Sequence, residues 1–227
     1  TKEINELVPI MNTDNLRYGK IMILTDQDED GSHIKGLLFN LFDTLWPSLF
    51  KFNGFLTSML TPIVKVKMNK NKFIEFFSLK DFKKWEESNY GENWTAKYYK
   101  GLGTSTPKEA KEYFKIPKMV DYTAEESNDL DMMRMAFSKN DNSANNRKEW
   151  LKSYNKENTL DYKNSIVSIS NFVQKDLKHF SNSDNIRSIP SCIDGLKPSQ
   201  RKVLYGSIKR NLYKTEIKVA QLAGYIS

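Results

Sequence analysis

Ile21-Met22-Ile23-Leu24-Thr25 is an unbroken apolar run of strand length, and five residues with four carboxylates follow it at once: Asp26-Gln27-Asp28-Glu29-Asp30. Gly31-Ser32-His33 then opens a helical pattern with apolar residues at Ile34, Leu37, Leu38, Leu41, Phe42 and Leu45, which Pro47 is expected to end. A continuous apolar run bounded in this way predicts a fully buried strand, the kind found inside a parallel sheet. The acidic stretch therefore falls on a strand-to-helix loop, the place where open α/β sheets bind their ligands.

Asp26, Asp28 and Asp30 alternate with Gln27 and Glu29. In extended backbone, residues two apart share a side and lie roughly 6–7 Å apart. Two like charges at that spacing repel by about 2–3 kcal/mol at an effective dielectric near 20. A cation removes this penalty, and an all-oxygen site suits Mg²⁺ or Ca²⁺. Three readings compete. An EF-hand would share the first half of the pattern, but its twelfth position requires Glu where Leu37 stands, and a helix where the apolar strand stands. An acidic turn that only caps the following helix is favoured by the helix dipole. A catalytic Mg²⁺ site would neutralise charge on a phosphate undergoing transfer. His33 is open to a structural or an acid–base role.

Downstream, Gly54 to Met68 reads as extended, with Ile63, Val64 and Val66 apolar. Asn69-Lys70-Asn71-Lys72 is a turn, and Phe73 to Phe77 returns as a strand. Leu79 to Ser88 is a helix, and Thr95 to Tyr99 is a strand running into Lys100-Gly101-Leu102-Gly103-Thr104. That glycine loop is neither a Walker A motif nor a dinucleotide fingerprint, but its position after a strand could bring Lys100 near the acidic site. Thr106 and Glu109 have capping-box spacing, with Pro107 at the first helical position. Strands alternating with helices indicate an α/β unit. Asp129 to Phe137 is helical, Ser138 to Arg147 reads as a hydrophilic loop, and Tyr162 to Phe180 reads as a strand followed by a helix. Near the end, Asp194-Gly195 is a turn and Pro198 opens a helix with Val203, Leu204, Ile208 and Leu212 on one face. Short basic helices joined by tight turns suggest a helix-turn-helix type of DNA binder.

The net charge of +7 points to a polyanionic partner, and its distribution sharpens the point. Acids gather at 26–30 and 121–131, whereas Lys197, Arg201, Lys202, Lys209, Arg210, Lys214 and Lys218 gather near the C-terminus. The single cysteine, Cys192, excludes an internal disulfide or a cysteine-cluster metal site; it reads as a small, at least half-buried residue in a reducing compartment. The longest apolar stretch, Leu37 to Phe52, is interrupted by Asn40, Asp43, Pro47 and Lys51, so no membrane span is expected. The first residues, Thr1-Lys2-Glu3-Ile4, carry no Met and no signal-peptide pattern, as in a chain that begins inside a larger protein.

Several longer blocks carry a family resemblance. Thr25-Asp26-Gln27-Asp28-Glu29-Asp30-Gly31-Ser32-His33-Ile34-Lys35-Gly36-Leu37 closely resembles the Toprim metal motif of type IIA topoisomerases. Lys97 to Ser105, Arg147 to Leu151 and Asp184 to Pro190 resemble the same family, and Asp194 to Leu204 resembles the start of its DNA-gate winged-helix domain. Both sets occur in one chain, as in the fused eukaryotic form of the family.

The resemblance implies an α/β fold. A Toprim-type parallel sheet flanked by helices would occupy residues 1–118, a helical connecting region 119–180, and the beginning of a winged-helix domain 181–227. It implies Asp26 and Asp28 as Mg²⁺ ligands, with Asp30 as a third acidic position and Mn²⁺ or Ca²⁺ as possible substitutes. It implies DNA contacts at Lys100, Lys139, Asn140, Arg187, Lys197, Arg201 and Lys202. The implied activity is that of a nuclear, homodimeric, ATP-dependent enzyme that cuts and reseals duplex DNA. Its first Toprim acid and its nucleophilic tyrosine are expected before Thr1 and after Ser227, so residues 1–227 alone are expected not to cleave DNA. The ATP-binding domain also lies elsewhere. The residue-level alternative is a non-catalytic DNA-binding module with a structural acidic loop.

Overall fold

The computed structural model describes residues 16–68, 72–91, 93–99, 101–125, 127–139, 142–162 and 164–227. They form two compact units, divided between Phe180 and Ser181. Lys100 and Asn140 lie outside the described residues.

The first unit holds two sheets. In the larger one, β1 (Ile21–Ile23) pairs in parallel with β2 (Leu56–Leu60). The smaller sheet is built from β3 (Val64–Met68), β4 (Phe73–Phe76) and β5 (Trp94–Tyr98), all antiparallel with β3 in the centre. Beyond it, β6 (Lys118–Thr123) returns to the larger sheet antiparallel to β2, and β7 (Ile166–Ser168) adds in parallel to β6. The larger sheet, ordered β1-β2-β6-β7, is therefore parallel at its two outer pairs and antiparallel at its centre. Residues 119–180, read from sequence as a connecting region, supply nearly half of that sheet.

The central position of β2 explains why all five of its residues are buried, including the polar Thr57 and Ser58. Their hydroxyls are satisfied: Thr57 Oγ1 donates to the Ile21 carbonyl at 3.4 Å, and Ser58 Oγ lies 3.3 Å from the Tyr122 hydroxyl. By contrast, β1 pairs only with β2 among the described residues, and the apolar run around it is not fully buried. Ile23 is buried, but Leu24 is 43% exposed.

The helix after the acidic loop, α1 (Glu29–Leu45), forms where its sequence predicts. Its buried face differs from the expected one. Ile34, Leu37 and Leu41 are exposed, while Ser32, Lys35, Gly36, Phe39 and Asp43 are buried. The reason is close approach. A Cβ on Gly36 would lie 2.9 Å from the Phe137 ring and 3.3 Å from Leu177, so this face lets neighbouring segments come nearest. Phe39 then reaches the core, 4.7 Å from Tyr122 and 5.1 Å from Phe172, ring centre to ring centre. Burying such a ring contributes about 1.5–3 kcal/mol.

A short helix, α2 (Pro47–Phe50), follows Pro47. The helix α3 (Leu79–Ser88) spans the range its sequence indicates, and its buried Phe82 packs beside Val64, Val66 and Phe76 on the smaller sheet. Next come α4 (Pro107–Lys115), α5 (Ser127–Phe137) and α6 (Ser143–Lys152). The expected loop at 138–147 is thus shorter than its composition suggested, because α6 begins at Ser143. Arg147 explains part of this: its Nη1 donates to the carbonyls of Met135 and Ser138, closing the end of α5.

After β7, α7 (Ile169–Phe172) leads into one π-helical turn, Val173–Leu177, and then into α8 (Lys178–Ser188). The π turn carries Asp176 against α1. Lys35, 1% exposed, lies 4.0 Å from Asp176 Oδ2. Tyr162 donates its hydroxyl to the same oxygen at 2.5 Å, and Ser32 donates at 3.5 Å. Burial, followed by the charge of Asp176, raises the Tyr162 hydroxyl well above the usual tyrosine range, so it stays a donor.

In the second unit, α9 (Pro198–Lys209) and α10 (Val219–Ile226) meet at Gly206, where a Cβ would lie 2.9 Å from Ile226. Cys192 is exposed, contrary to the sequence expectation: it sits in the turn before α9, outside any core.

Removing one member of a buried ion pair strands the other charge, which typically costs about 3–5 kcal/mol. Asp176→Ala is therefore expected to destabilise the first unit by that order in urea denaturation. A loss of under about 1 kcal/mol would show that Lys35 is satisfied without it.

Candidate metal centre and nucleic-acid interface

The acidic loop is held by two glycines. Gly31 packs on the backbone of Asp26 so tightly that a Cβ there would fall 1.9 Å from the Asp26 carbonyl oxygen. Gly101 packs on the Asp26 side chain: a Cβ there would fall 2.5 Å from Oδ2 and 2.6 Å from Oδ1. The glycine loop after β5 is thus brought against the first acidic residue through Gly101. Asp28 occupies the N-cap of α1 with extended backbone, and its Oδ1 accepts from the Gly31 N–H at 2.8 Å. The chain bends at Gln27 and Asp28 and the helix takes over at Glu29, so the extended alternation expected over 26–30 is not formed and Asp30 belongs to the first helical turn. All three aspartates are exposed.

Among the described residues, no three Asp, Glu, His or Cys side chains converge to form a closed metal cage. An open site is a different matter. Mg²⁺ keeps several waters and is commonly held by one or two carboxylates together with phosphate oxygens. Asp26 and Asp28, both exposed on the loop between β1 and α1, are carboxylates that suit that donor set.

The glycine loop is closed at its base by a cluster around Glu109. Its carboxylate accepts from Lys97 Nζ at 2.9 and 3.0 Å, from the Tyr99 hydroxyl at 2.5 Å, and from the Thr106 N–H at 2.7 Å. Thr106 and Glu109 form the capping box expected from their spacing. The contacts from Lys97 and Tyr99 were not legible in the sequence, because they join the end of β5 to the start of α4 across the loop. Burial pushes the Glu109 carboxyl up, but the hydrogen bonds from Thr106, Tyr99 and Lys97 outweigh it and hold the group at about 2. Burial, then the bond to Glu109, raises the Tyr99 hydroxyl. Inside the loop, Thr104 bonds back to the Gly101 carbonyl through its N–H at 3.1 Å and its hydroxyl at 2.7 Å.

A cleft of about 480 Å³ lies beside the acidic loop. Asp28, Glu29 and Asp30 line one part, Ile63, Phe77, Leu79 and Leu160 supply apolar wall, and Tyr162 and Asp176 also reach it. His33 stacks on Phe180 with ring centres 3.9 Å apart, which gives it a packing role.

Lys139 is exposed directly after α5, beside the turn that Arg147 holds. In the second unit, Arg187 pairs with Asp184 at 3.2 Å. Lys197 is the N-cap residue of α9, and its N–H donates to the Gln200 side chain at 2.8 Å. Lys202 is exposed on α9. Arg201 grips both oxygens of Asp194 at 2.7–3.0 Å, tying α9 to the turn at Gly195, whose φ is +69°. The Leu196 N–H, followed by that fork, holds the Asp194 carboxyl below its usual range.

The Glu109 cluster has a pH signature. A carboxyl held below its ordinary 4.5 adds stability that is fully present above that value and is lost as pH falls toward about 2. Glu109→Gln is expected to flatten the thermal midpoint of the first unit over that window. An unchanged acid limb would mean that Glu109 is not the group being protonated.

Residues 59–185, more than half of the chain, match the family model described as the C-terminal associated domain of TOPRIM. Residues 187–227 match the model for the A subunit of DNA gyrase/topoisomerase IV. The acidic loop lies before both, but longer alignments include it. The chain is 48% identical over 221 residues to DNA topoisomerase 2 of Saccharomyces cerevisiae, covering 95% of this chain and 15% of that protein. It is 46% identical over 240 residues to DNA topoisomerase 2 of Arabidopsis thaliana, covering 100% of this chain and 16% of that protein. The crystal structure of the Plasmodium falciparum topoisomerase II DNA-binding, cleavage and re-ligation domain superposes with a TM-score of 0.81 at 47% identity, covering 95% of this chain and 29% of that one. The chain thus spans only about a sixth of the length of these curated relatives, and within that span it belongs to the type II DNA topoisomerase family, in the region that carries the C-terminal associated domain of TOPRIM.

Proposed function

We propose that this chain is part of the DNA-cleavage core of an ATP-dependent type II DNA topoisomerase, binding Mg²⁺ and duplex DNA for double-strand cleavage and religation during strand passage. The observation that carries the proposal is the acidic strand-to-helix loop, with Asp26 fixed between two glycines and Asp28 at the mouth of a helix. It stands in a chain that aligns over 95% of its length with a DNA-binding, cleavage and re-ligation domain.

In this reading Asp26 and Asp28 hold Mg²⁺, while Asp30 stands by as an acidic neighbour on α1. Bound Mg²⁺ supplies neutralising charge for a phosphodiester and its leaving 3′ oxygen. Lys139, Arg187, Lys197 and Lys202 neutralise DNA phosphates, which positions the duplex without reading its sequence. Arg201 contributes by shaping the turn before α9. Residues 181–227 begin the winged-helix domain of the DNA gate. The attacking tyrosine, the first Toprim acid and the ATP site are supplied by other parts of a nuclear homodimer.

A second reading, a DNA-binding module with a purely structural acidic loop, has one observation in its favour: Asp28 caps α1. The two are separable by choice of side chain. Asn caps a helix about as well as Asp but carries no charge, whereas Ala loses the cap at a cost of about 0.5–2 kcal/mol. In the full-length protein, Asp28→Asn is expected to keep its thermal midpoint yet lose Mg²⁺-dependent DNA cleavage, as does Asp26→Ala. Normal yields of covalent cleavage complex in both variants, with no Mg²⁺- or Mn²⁺-dependent change at these residues, would establish the structural reading instead.

A further inference from the structure

Gly101 stands out because the space its missing side chain leaves is filled by the Asp26 carboxylate itself. A Cβ at 101 would lie 2.5 Å from Cγ, 2.5 Å from Oδ2 and 2.6 Å from Oδ1. All three atoms belong to the end of a side chain that can rotate, with no backbone atom among them. The other glycine of the same loop, Gly103, faces open space: a Cβ there meets nothing within 4 Å. The requirement for glycine is therefore local to one position and directed at one carboxylate.

The loop is also built to hold that position. Glu109 ties Lys97 and Tyr99, at the end of β5, to Thr106, at the start of α4. Thr104 closes the turn on the Gly101 carbonyl. On the opposite side, Gly31 meets the Asp26 backbone. The Asp26 backbone and its carboxylate are thus set by two different segments, far apart in sequence.

We propose that Gly101 is a positioning residue for the metal centre: the glycine loop, clamped through Glu109, acts as a back wall that fixes the Asp26 carboxylate in the orientation that receives a divalent cation. The proposal rests on the assignment of Asp26 as a metal ligand. Groups that orient a metal ligand typically change metal affinity by 10–100-fold when they are altered.

The test uses the full-length protein with four variants: Gly101→Ala, Gly103→Ala, Asp26→Ala and the Gly101→Ala/Asp26→Ala double variant. Free Mn²⁺ is followed by electron paramagnetic resonance in the presence of duplex DNA. Thermal midpoint and metal-free DNA affinity are measured alongside. Gly101→Ala is expected to weaken Mn²⁺ binding by about tenfold or more, to leave the midpoint and metal-free DNA affinity unchanged, and to regain cleavage at high Mn²⁺. Gly103→Ala is expected to match the parent. In the double variant, the alanine at 101 is expected to add nothing to the loss caused by Asp26→Ala, because neighbours acting through one group are not additive. Asp26→Ala with unchanged Mn²⁺ affinity would remove the ligand assignment itself. If Asp26→Ala weakens Mn²⁺ binding but Gly101→Ala does not, the positioning role alone fails. Equal weakening by Gly103→Ala, or unfolding by Gly101→Ala, would also overturn it, since the three atoms nearest a Cβ at 101 belong to a movable carboxylate.

Discussion

The pairing of the buried Lys35 with the half-buried Asp176 is the interaction on which the first unit depends. It joins α1, which starts at the acidic loop, to the π turn after β7, more than 140 residues later. A lysine with 1% exposure is tolerated only when its charge is answered, and here a carboxylate does so while accepting from Tyr162 and Ser32. The π turn matters to this geometry. A widened turn changes which residues face α1, and it is within this turn that Asp176 meets Lys35. The acidic loop therefore begins a helix that is locked in rotation by an internal charge.

A similar double use of one carboxylate appears at the acidic loop. Asp28 serves as the cap of α1 while standing in the stretch proposed for cation binding. Its two duties are compatible because one oxygen satisfies the helix N–H and a carboxylate has further acceptor capacity. Asp26 has no such helix role. Its backbone is set by Gly31 and its carboxylate by Gly101. The small antiparallel sheet gains its significance here: β5 leads directly into the loop that carries Gly101, and the Glu109 cluster fixes where that loop returns.

Much of this was legible along the chain. The strand, acidic loop and helix in succession, the Thr106–Glu109 capping box, the helix at 79–88 and the turn at Gly195 are local features, written in residues a few positions apart. What failed did so for an identifiable reason. Counting leucines gave α1 the wrong buried face, because hydrophobic periodicity has no means of expecting a buried lysine and aspartate opposite a glycine contact. The Arg201–Asp194 bond was not legible because the two residues are seven positions apart across a turn. The Lys97–Glu109 and Tyr99–Glu109 bonds were hidden in the same way.

By itself the sequence determined that a carboxylate-rich loop joins a strand to a helix and that basic residues concentrate toward the C-terminus. Those properties follow from side-chain chemistry and short-range backbone preference. Only the tertiary structure decided that Gly101 stands against Asp26, that Lys35 is answered by Asp176, and that residues 119–180 complete the larger sheet rather than merely connect two parts. Each of these depends on segments brought together by packing, and the close approach of a loop to a distant side chain or the pairing of a buried charge with a distant partner leaves no trace in the spacing of residues along one of them. The acidic loop is thus a sequence feature whose precision as a site comes from elsewhere in the fold.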